Sequence, residues 1–135
     1  MIDYNDYVGI PWVCGKADLD GADCWGIVCI VYLDLFGIRL SHFNPNDINS
    51  TEKTADKIKS IKRKSDDWVK VARPVDGDVV VMTSRKTLRP EHVGVFIKGG
   101  FVLHSLVRES GASEIHSVKH LSKLFKRLDF YRYAT

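Results

Sequence analysis

The most apolar stretch of this 135-residue chain is DCWGIVCIVYLDLFG, residues 23–37. Asp23 is a good N-cap residue, and Gly37 is typical of the left-handed position just after a helix. The stretch therefore predicts a helix from Cys24 to about Phe36. Because apolar side chains surround this helix almost completely, we expect it to be buried at the centre of the fold.

Cys24 is the first residue of the helical stripe that faces the rest of the core. Downstream, two histidines occur in strand-like segments, His92 in EHVGV and His104 in VLHS. A thiol at a helix N-terminus with two strand-borne imidazoles is what a cysteine hydrolase needs. The helix end favours the thiolate, one imidazole moves the proton, and the second orients the first. These three residues are the candidate catalytic groups.

The register of the two strands that carry the histidines tests this hypothesis. The turn between them contains KGG, residues 98–100. A two-residue loop would put His92 and His104 on opposite faces, whereas a three-residue loop pairs Gly94 with His104. His92 and His104 would then be diagonal neighbours on one face, about 7–8 Å apart at the backbone. The hypothesis therefore requires the three-residue loop, which uses a left-handed glycine, or an equivalent bulge.

With that register, each side chain has a role. Cys24 attacks a carbonyl carbon, His92 is the base that forms a thiolate–imidazolium pair with it, and His104 holds the His92 ring in the useful tautomer. Backbone N–H groups at the start of the helix are expected to bind the oxyanion, because unsatisfied donors point there. The helix and the imidazolium together can lower a cysteine pKa from about 8.5 into the range of about 3.5–7.5.

Length and composition predict a single domain over residues 1–135, with 44% apolar and 27% charged residues as in globular proteins. The net charge of +3 is mild, and the basic residues at 57–64 are interpreted as a solvated helix face, so we expect no nucleic-acid partner. The N-terminal residues MIDYND are acidic and lack an apolar stretch, so we expect no secretory signal, and no apolar run is long enough to span a bilayer. Three cysteines without a scaffold pattern favour a reducing compartment, so we expect synthesis in a cytoplasm.

The pattern changes after the first helix. A charged helix is predicted over about residues 51–71. Strands and one short helix follow, separated by turn residues; the strands are predicted at Val79–Met82, Val93–Ile97, Phe101–Leu106, Glu114–Val118 and Leu128–Tyr133, and the helix at Lys119–Phe125. Helices followed by an antiparallel sheet of about five strands indicate the α+β class, with the helix that carries Cys24 packed on the sheet.

Several motifs together resemble the NlpC-type cell-wall cysteine peptidases, a family of small papain-like enzymes. Five matching segments occur in the family's order: Ile10–Trp12, Gly21–Val28, Asp76–Met82, Glu91–Phe96 and Val102–Ser105. The resemblance implies a papain-like fold and a Cys24–His92–His104 triad. It implies cleavage of an amide in peptidoglycan stem peptides, typically beside a D-glutamyl residue. It also implies a second role for Asp23, that of holding the free amine of a peptide substrate.

Three departures from the family's pattern lie on the substrate side. Trp25 follows the nucleophile where cell-wall enzymes commonly have serine, and Trp12 stands where tyrosine is common. The usual glycine pair is reduced to CGK, residues 14–16. Trp12 could line the substrate cleft or pack under its loop. The Asp-Cys-Trp-Gly form is most similar to the branch found in bacteriophage tail proteins. By analogy this branch implies tail proteins as partners and association with the virion.

The other cysteines and histidines have simpler interpretations. Cys29 is about 140° from Cys24 around the helix and is expected in the core, and Cys14 is expected to be a loop residue. A zinc site built from the candidate catalytic groups lacks a close-spaced ligand pair, so no metal or other cofactor is predicted. Three histidines have no chemical partner in the pattern and are expected at the surface or in turns: His42, His116 and His120.

Two functions follow from these patterns. The leading one is a thiol hydrolase that cuts a peptide or isopeptide bond, in peptidoglycan, and so lets a phage tail pass the cell wall. The alternative is a non-enzymatic tail-assembly or adaptor module that keeps the fold and uses its cleft to bind another protein. Acyl transfer by the same triad differs from hydrolysis only in the nucleophile that resolves the thioester.

Overall fold

The computed structural model describes residues 3–40, 67–106 and 111–134. Within these ranges the elements are a short 3-10 helix at Asn5–Tyr7, β1 (Ala17–Asp18), β2 (Gly21–Ala22), α1 (Cys24–Phe36), β3 (Trp68–Val71), β4 (Val79–Thr83), β5 (Pro90–Ile97), β6 (Phe101–Ser105), β7 (Ser113–Ser117), α2 (Val118–Leu124) and β8 (Arg127–Tyr133). Strands β1 and β2 pair with each other. The other six form an antiparallel sheet in the order β3-β8-β4-β5-β6-β7. In the described ranges no helix has the length and apolar character needed to span a membrane.

Helix α1 is the central element, as its sequence predicts. It starts at Cys24 with Asp23 as N-cap and ends at Gly37, which adopts a left-handed conformation with φ of 67°. Every residue from Cys24 to Tyr32 is buried. The helix packs against β5 and β6, the strands that carry the candidate histidines.

The sheet is buried by two clusters of apolar side chains. Successive residues of β4 contribute to different clusters, as expected for a strand that is covered on both sides. One cluster joins α1 to Val79, Val81, Val93 and Val95. The other joins Leu121 of α2 to Val80, Met82, Phe96 and Val102. The α+β class is thereby confirmed, with six strands in the main sheet where about five were predicted.

The additional strand is β3, and it corrects the predicted end of the second helix. Residues 68–71 were assigned to that helix, but they pair with β8, with Trp68 opposite Tyr133. The rings of Trp68 and Tyr133 meet edge to face with their centroids 5.1 Å apart, and Trp68 also contacts Tyr32 of α1. Burial of these aromatic rings outweighs the local helical pattern. The rest of the predicted helix, residues 51–66, lies outside the described residues.

The register between β5 and β6 agrees with the three-residue loop. Ile97 pairs with Phe101 and Gly94 pairs with His104. Residues 98–100 form the loop, in which Gly99 and Gly100 have φ values of 103° and 94°, a region that L-amino acids with side chains rarely adopt. Because His92 lies two residues from Gly94 on β5, it is on the same face as His104 and diagonally next to it.

Candidate active site

The start of α1 is fixed by the side chain of Asp23. Its Oδ1 accepts a hydrogen bond from the backbone N–H of Gly26 at 2.7 Å, and its Oδ2 accepts one from Gly15 at 2.9 Å. The carboxylate is buried and ties the preceding loop to the first helical turn. A side chain at residue 26 would collide with the carbonyl oxygen of Lys16. The tetrapeptide DCWG is thus a tightly packed corner that holds Cys24 at the helix N-terminus.

The two candidate histidines are joined by a direct hydrogen bond. His92 Nε2 lies 2.9 Å from His104 Nδ1, as the diagonal register requires. The pairing of β5 with β6 ends at Gly94 and His104, so His92 lies just beyond the last pair. A Cβ atom at Gly94 would approach the His104 Cβ to 3.0 Å and the Leu103 oxygen to 2.7 Å. Glycine at residue 94 therefore leaves the space in which His104 meets His92.

The histidine pair is held in an apolar environment. His92 is 5% exposed and His104 is 1% exposed. The ring of Phe125 stacks on His92, with 5.7 Å between centroids and 8° between planes. Burial, reinforced by the neighbouring His104, holds the pKa of His92 well below its usual range. Burial together with His116 and His120 lowers the pKa of His104 to about 4. Burial therefore favours the neutral form of both rings, unless an anion lies close enough to balance the charge.

These lowered pKa values predict a loss of stability in mild acid. Below about pH 6.5 the unfolded chain binds protons that the buried histidines do not, so the free energy of unfolding falls as the pH decreases. For His104 alone the loss between pH 6.5 and 4 is on the order of 3 kcal/mol, and His92 adds to it. Urea unfolding of the wild type and of His104→Asn across this range measures the difference. Identical pH dependence in the two proteins would contradict the prediction.

A third histidine extends the pair, which corrects the interpretation of His116 as a residue without partners. His104 Nε2 lies 2.8 Å from His116 Nδ1, because His116 sits on β7 diagonally across from His104, in the same relation that His104 has to His92. His116 Nε2 in turn lies 3.4 Å from Glu114 Oε2. The ring of His120 lies beside that of His116, with 4.8 Å between centroids. The signal that was missed is the recurrence of histidine every 12 residues on neighbouring strands, at 92, 104 and 116.

The other residues singled out by the sequence lie around this network or in the core. Trp12 is partly buried, and its backbone N–H donates to the carbonyl of Gly111. Trp25 and Cys29 belong to the apolar core, and Cys14 is partly exposed next to the Asp23 corner. Among the residues that the structure describes, no group of three metal-ligating side chains is arranged to hold a metal ion. His42 lies outside the described residues.

The chemistry of the site depends on which atoms are brought together. The structure joins His92 to His104 and places Cys24 at the N-terminus of a helix packed against their strands. His92 Nε2 is engaged by His104, so Nδ1 is the ring nitrogen left for a second partner. A buried neutral imidazole with one bonded and one remaining nitrogen can act as a base, provided that the charge it gains is balanced by an anion close by.

Comparisons with known proteins are consistent with this architecture. The model of the NlpC/P60 family matches residues 9–127 of the chain. Among solved structures, the chain is similar to the crystal structure of the NlpC/p60 domain of the peptidoglycan hydrolase SagA. The TM-score is 0.58 at 22% sequence identity, and the alignment covers 96% of this chain and 90% of that one. At this identity the likeness concerns the fold. A search of curated protein sequences finds no significant match.

Proposed function

This chain belongs to the NlpC/P60 family, and on that premise we propose that it is a cysteine peptidase or amidase that hydrolyses a peptide or isopeptide bond in peptidoglycan stem peptides. The observation that carries the proposal is the hydrogen bond between His92 and His104, on strands that pack against the helix begun by Cys24. A buried polar pair of this kind is costly to keep in a core and is typical of a functional site.

The proposed reaction proceeds through a thioester. The Cys24 thiol gives its proton to His92 Nδ1, and the thiolate attacks the carbonyl carbon of the scissile amide. Backbone N–H groups at the start of α1 stabilise the oxyanion. The His92 imidazolium then protonates the leaving amine as the C–N bond breaks. Water, deprotonated by His92, hydrolyses the thioester and regenerates the thiol. His104 accepts from His92 Nε2 throughout and holds the ring in place.

The proposal assigns the substrate side to the loop before α1. Asp23 precedes the nucleophile in the sequence, and a carboxylate is a suitable acceptor for a free amine. We assign it the free amine of a stem peptide, in addition to its capping role. Trp12 lies in the same loop and is partly buried. We assign it to the wall of the substrate cleft. Binding of muropeptides to Asp23→Asn and Trp12→Ala variants tests these two assignments.

The proposal also includes a setting, the bacteriophage tail. It is supported by the Asp-Cys-Trp-Gly form, and it implies that the protein associates with tail proteins and virions. In the alternative, the same fold serves tail assembly without hydrolysis. A Cys24→Ala phage that assembles normal tails but penetrates the wall poorly would support the enzyme. Loss of assembly without any measurable hydrolysis by the wild type would favour the adaptor.

The activation of Cys24 can be tested without a known substrate. We expect the rate of Cys24 alkylation, measured against pH in a Cys14→Ser/Cys29→Ser background, to reveal a pKa below the value of about 8.5 for an ordinary cysteine. His92→Ala is expected to raise that pKa, because the thiolate loses its counterion. An ordinary pKa that does not respond to His92→Ala would contradict the proposed triad in the isolated protein.

A further inference from the structure

The histidine pair continues into a longer chain of side chains that ends at the protein surface. From His92 the contacts run to His104 at 2.9 Å, to His116 at 2.8 Å and to Glu114 at 3.4 Å. The first two rings are buried, whereas the side chains of His116 and Glu114 are 24% and 34% exposed. The chain crosses three neighbouring strands, β5, β6 and β7, on one face of the sheet.

Each neutral imidazole has one N–H and one acceptor nitrogen, so the whole chain can run in either of two directions. Glu114 favours one of them, because its carboxylate oxygen lies 3.4 Å from His116 Nε2 and attracts the His116 proton to the nitrogen that faces it. The proton of His116 is then on Nε2, and its Nδ1 accepts. His104 must donate from Nε2 and accept at Nδ1, and His92 donates from Nε2. The nitrogen left with a lone pair is His92 Nδ1, the one that the proposed mechanism assigns to the Cys24 proton.

We propose that His116, oriented by Glu114, is a positioning residue: it fixes the proton of His104 on Nε2 and so keeps the lone pair of His92 Nδ1 available to Cys24. The inference rests on the proposed function for its catalytic consequence. The tautomer of His104 is a separate property and can be observed even in a protein that shows no hydrolysis. His116 touches neither the nucleophile nor the base and acts on them through His104.

The variants at residue 116 separate the hydrogen bond from the bulk of the side chain. In His116→Asn the amide oxygen replaces Nδ1 as acceptor. In His116→Leu the acceptor is removed. His120→Ala is the matched control, because His120 is exposed and contacts His116 only through its ring. Glu114→Gln removes the carboxylate while leaving all three histidines in place, and it provides a test if His116→Leu folds poorly.

Long-range ¹H–¹⁵N spectra of the histidine rings give the first readout. We expect a single Nε2–H form of His104 in the wild type, in His116→Asn and in His120→Ala, and a mixture with the Nδ1–H form in His116→Leu and Glu114→Gln. Persistence of the pure Nε2–H form in His116→Leu would overturn the inference. So would a wild-type protein in which His104 carries its proton on Nδ1.

Alkylation of Cys24 gives the second readout. We expect His116→Leu to slow the alkylation of Cys24 by roughly 10- to 100-fold at neutral pH, the range found for residues that hydrogen-bond to the far ring nitrogen of a functional histidine. His116→Asn is expected to stay within about threefold of the wild-type rate. Equal loss in both variants would overturn the inference. Absence of any effect of His92→Ala on a wild-type Cys24 rate would instead contradict the proposed function, while the ring spectra still decide the role of His116.

Discussion

Replacing Cys24 by alanine is expected to lower hydrolysis of peptidoglycan fragments by at least about 10⁴-fold, the scale seen when a covalent nucleophile is removed from a hydrolase. No other group in the proposed mechanism can form the thioester. The fold should tolerate the change, because alanine is a good helix former and the cap of α1 depends on Asp23 rather than on the thiol. Mass spectrometry of released stem-peptide fragments measures the activity, and thermal unfolding measures the stability.

The other two cysteines are matched controls for this experiment. Cys29 is on the same helix and equally buried, whereas Cys14 is on the loop that contacts the Asp23 corner. Cys29→Ala and Cys14→Ser are expected to leave the rate of hydrolysis close to that of the wild type. Comparable losses in all three variants would mean that the thiols act through the structure, and retention of activity in Cys24→Ala would exclude a cysteine nucleophile at this position.

The parts of the fold that the sequence predicts well are those fixed by local signals. The bounds of α1 follow from Asp23 and Gly37, which satisfy the helix ends with their own side chain and backbone conformation. The pairing of His92 with His104 follows from a tight loop, where the number of residues determines the register. In both cases the deciding interactions lie within a few residues of each other, so they can be evaluated without the rest of the chain.

The parts that were missed depend on contacts between distant segments. Strand β3 forms because Trp68 pairs with Tyr133, and nothing in the charged sequence before Trp68 indicates that partner. The position of His116 depends on the register between β6 and β7, which are separated by seven residues, 106–112. The predicted strand at Glu114–Val118 was close to the observed β7, but its register could not be derived from loop length.

Of the substitutions at His104 and His116, we expect the one at His104 to lower the rate of hydrolysis more. Removing its acceptor nitrogen in His104→Leu is expected to lower hydrolysis by about 10³- to 10⁴-fold, as in other triads whose orienting residue is changed. Without that acceptor, the His92 proton is no longer held on Nε2, and the base loses both its orientation and its tautomer. His104→Asn is the matched variant, because its amide oxygen can take the place of Nδ1 and accept from His92. We expect His104→Asn to keep most of the hydrolytic activity that His104→Leu loses.

The His104→Asn background also tests whether His116 affects hydrolysis through His104 or independently of it. An asparagine at residue 104 accepts from His92 with its carbonyl oxygen whatever lies behind it, so the influence of His116 should disappear. His116→Leu is therefore expected to slow the enzyme in the wild type and to have almost no further effect in His104→Asn, which a double-mutant cycle measures as a coupling between the two residues. Equal losses in the two backgrounds would show that His116 acts independently of His104. The hydrogen bonds would then stabilise the sheet without setting the tautomer of His92.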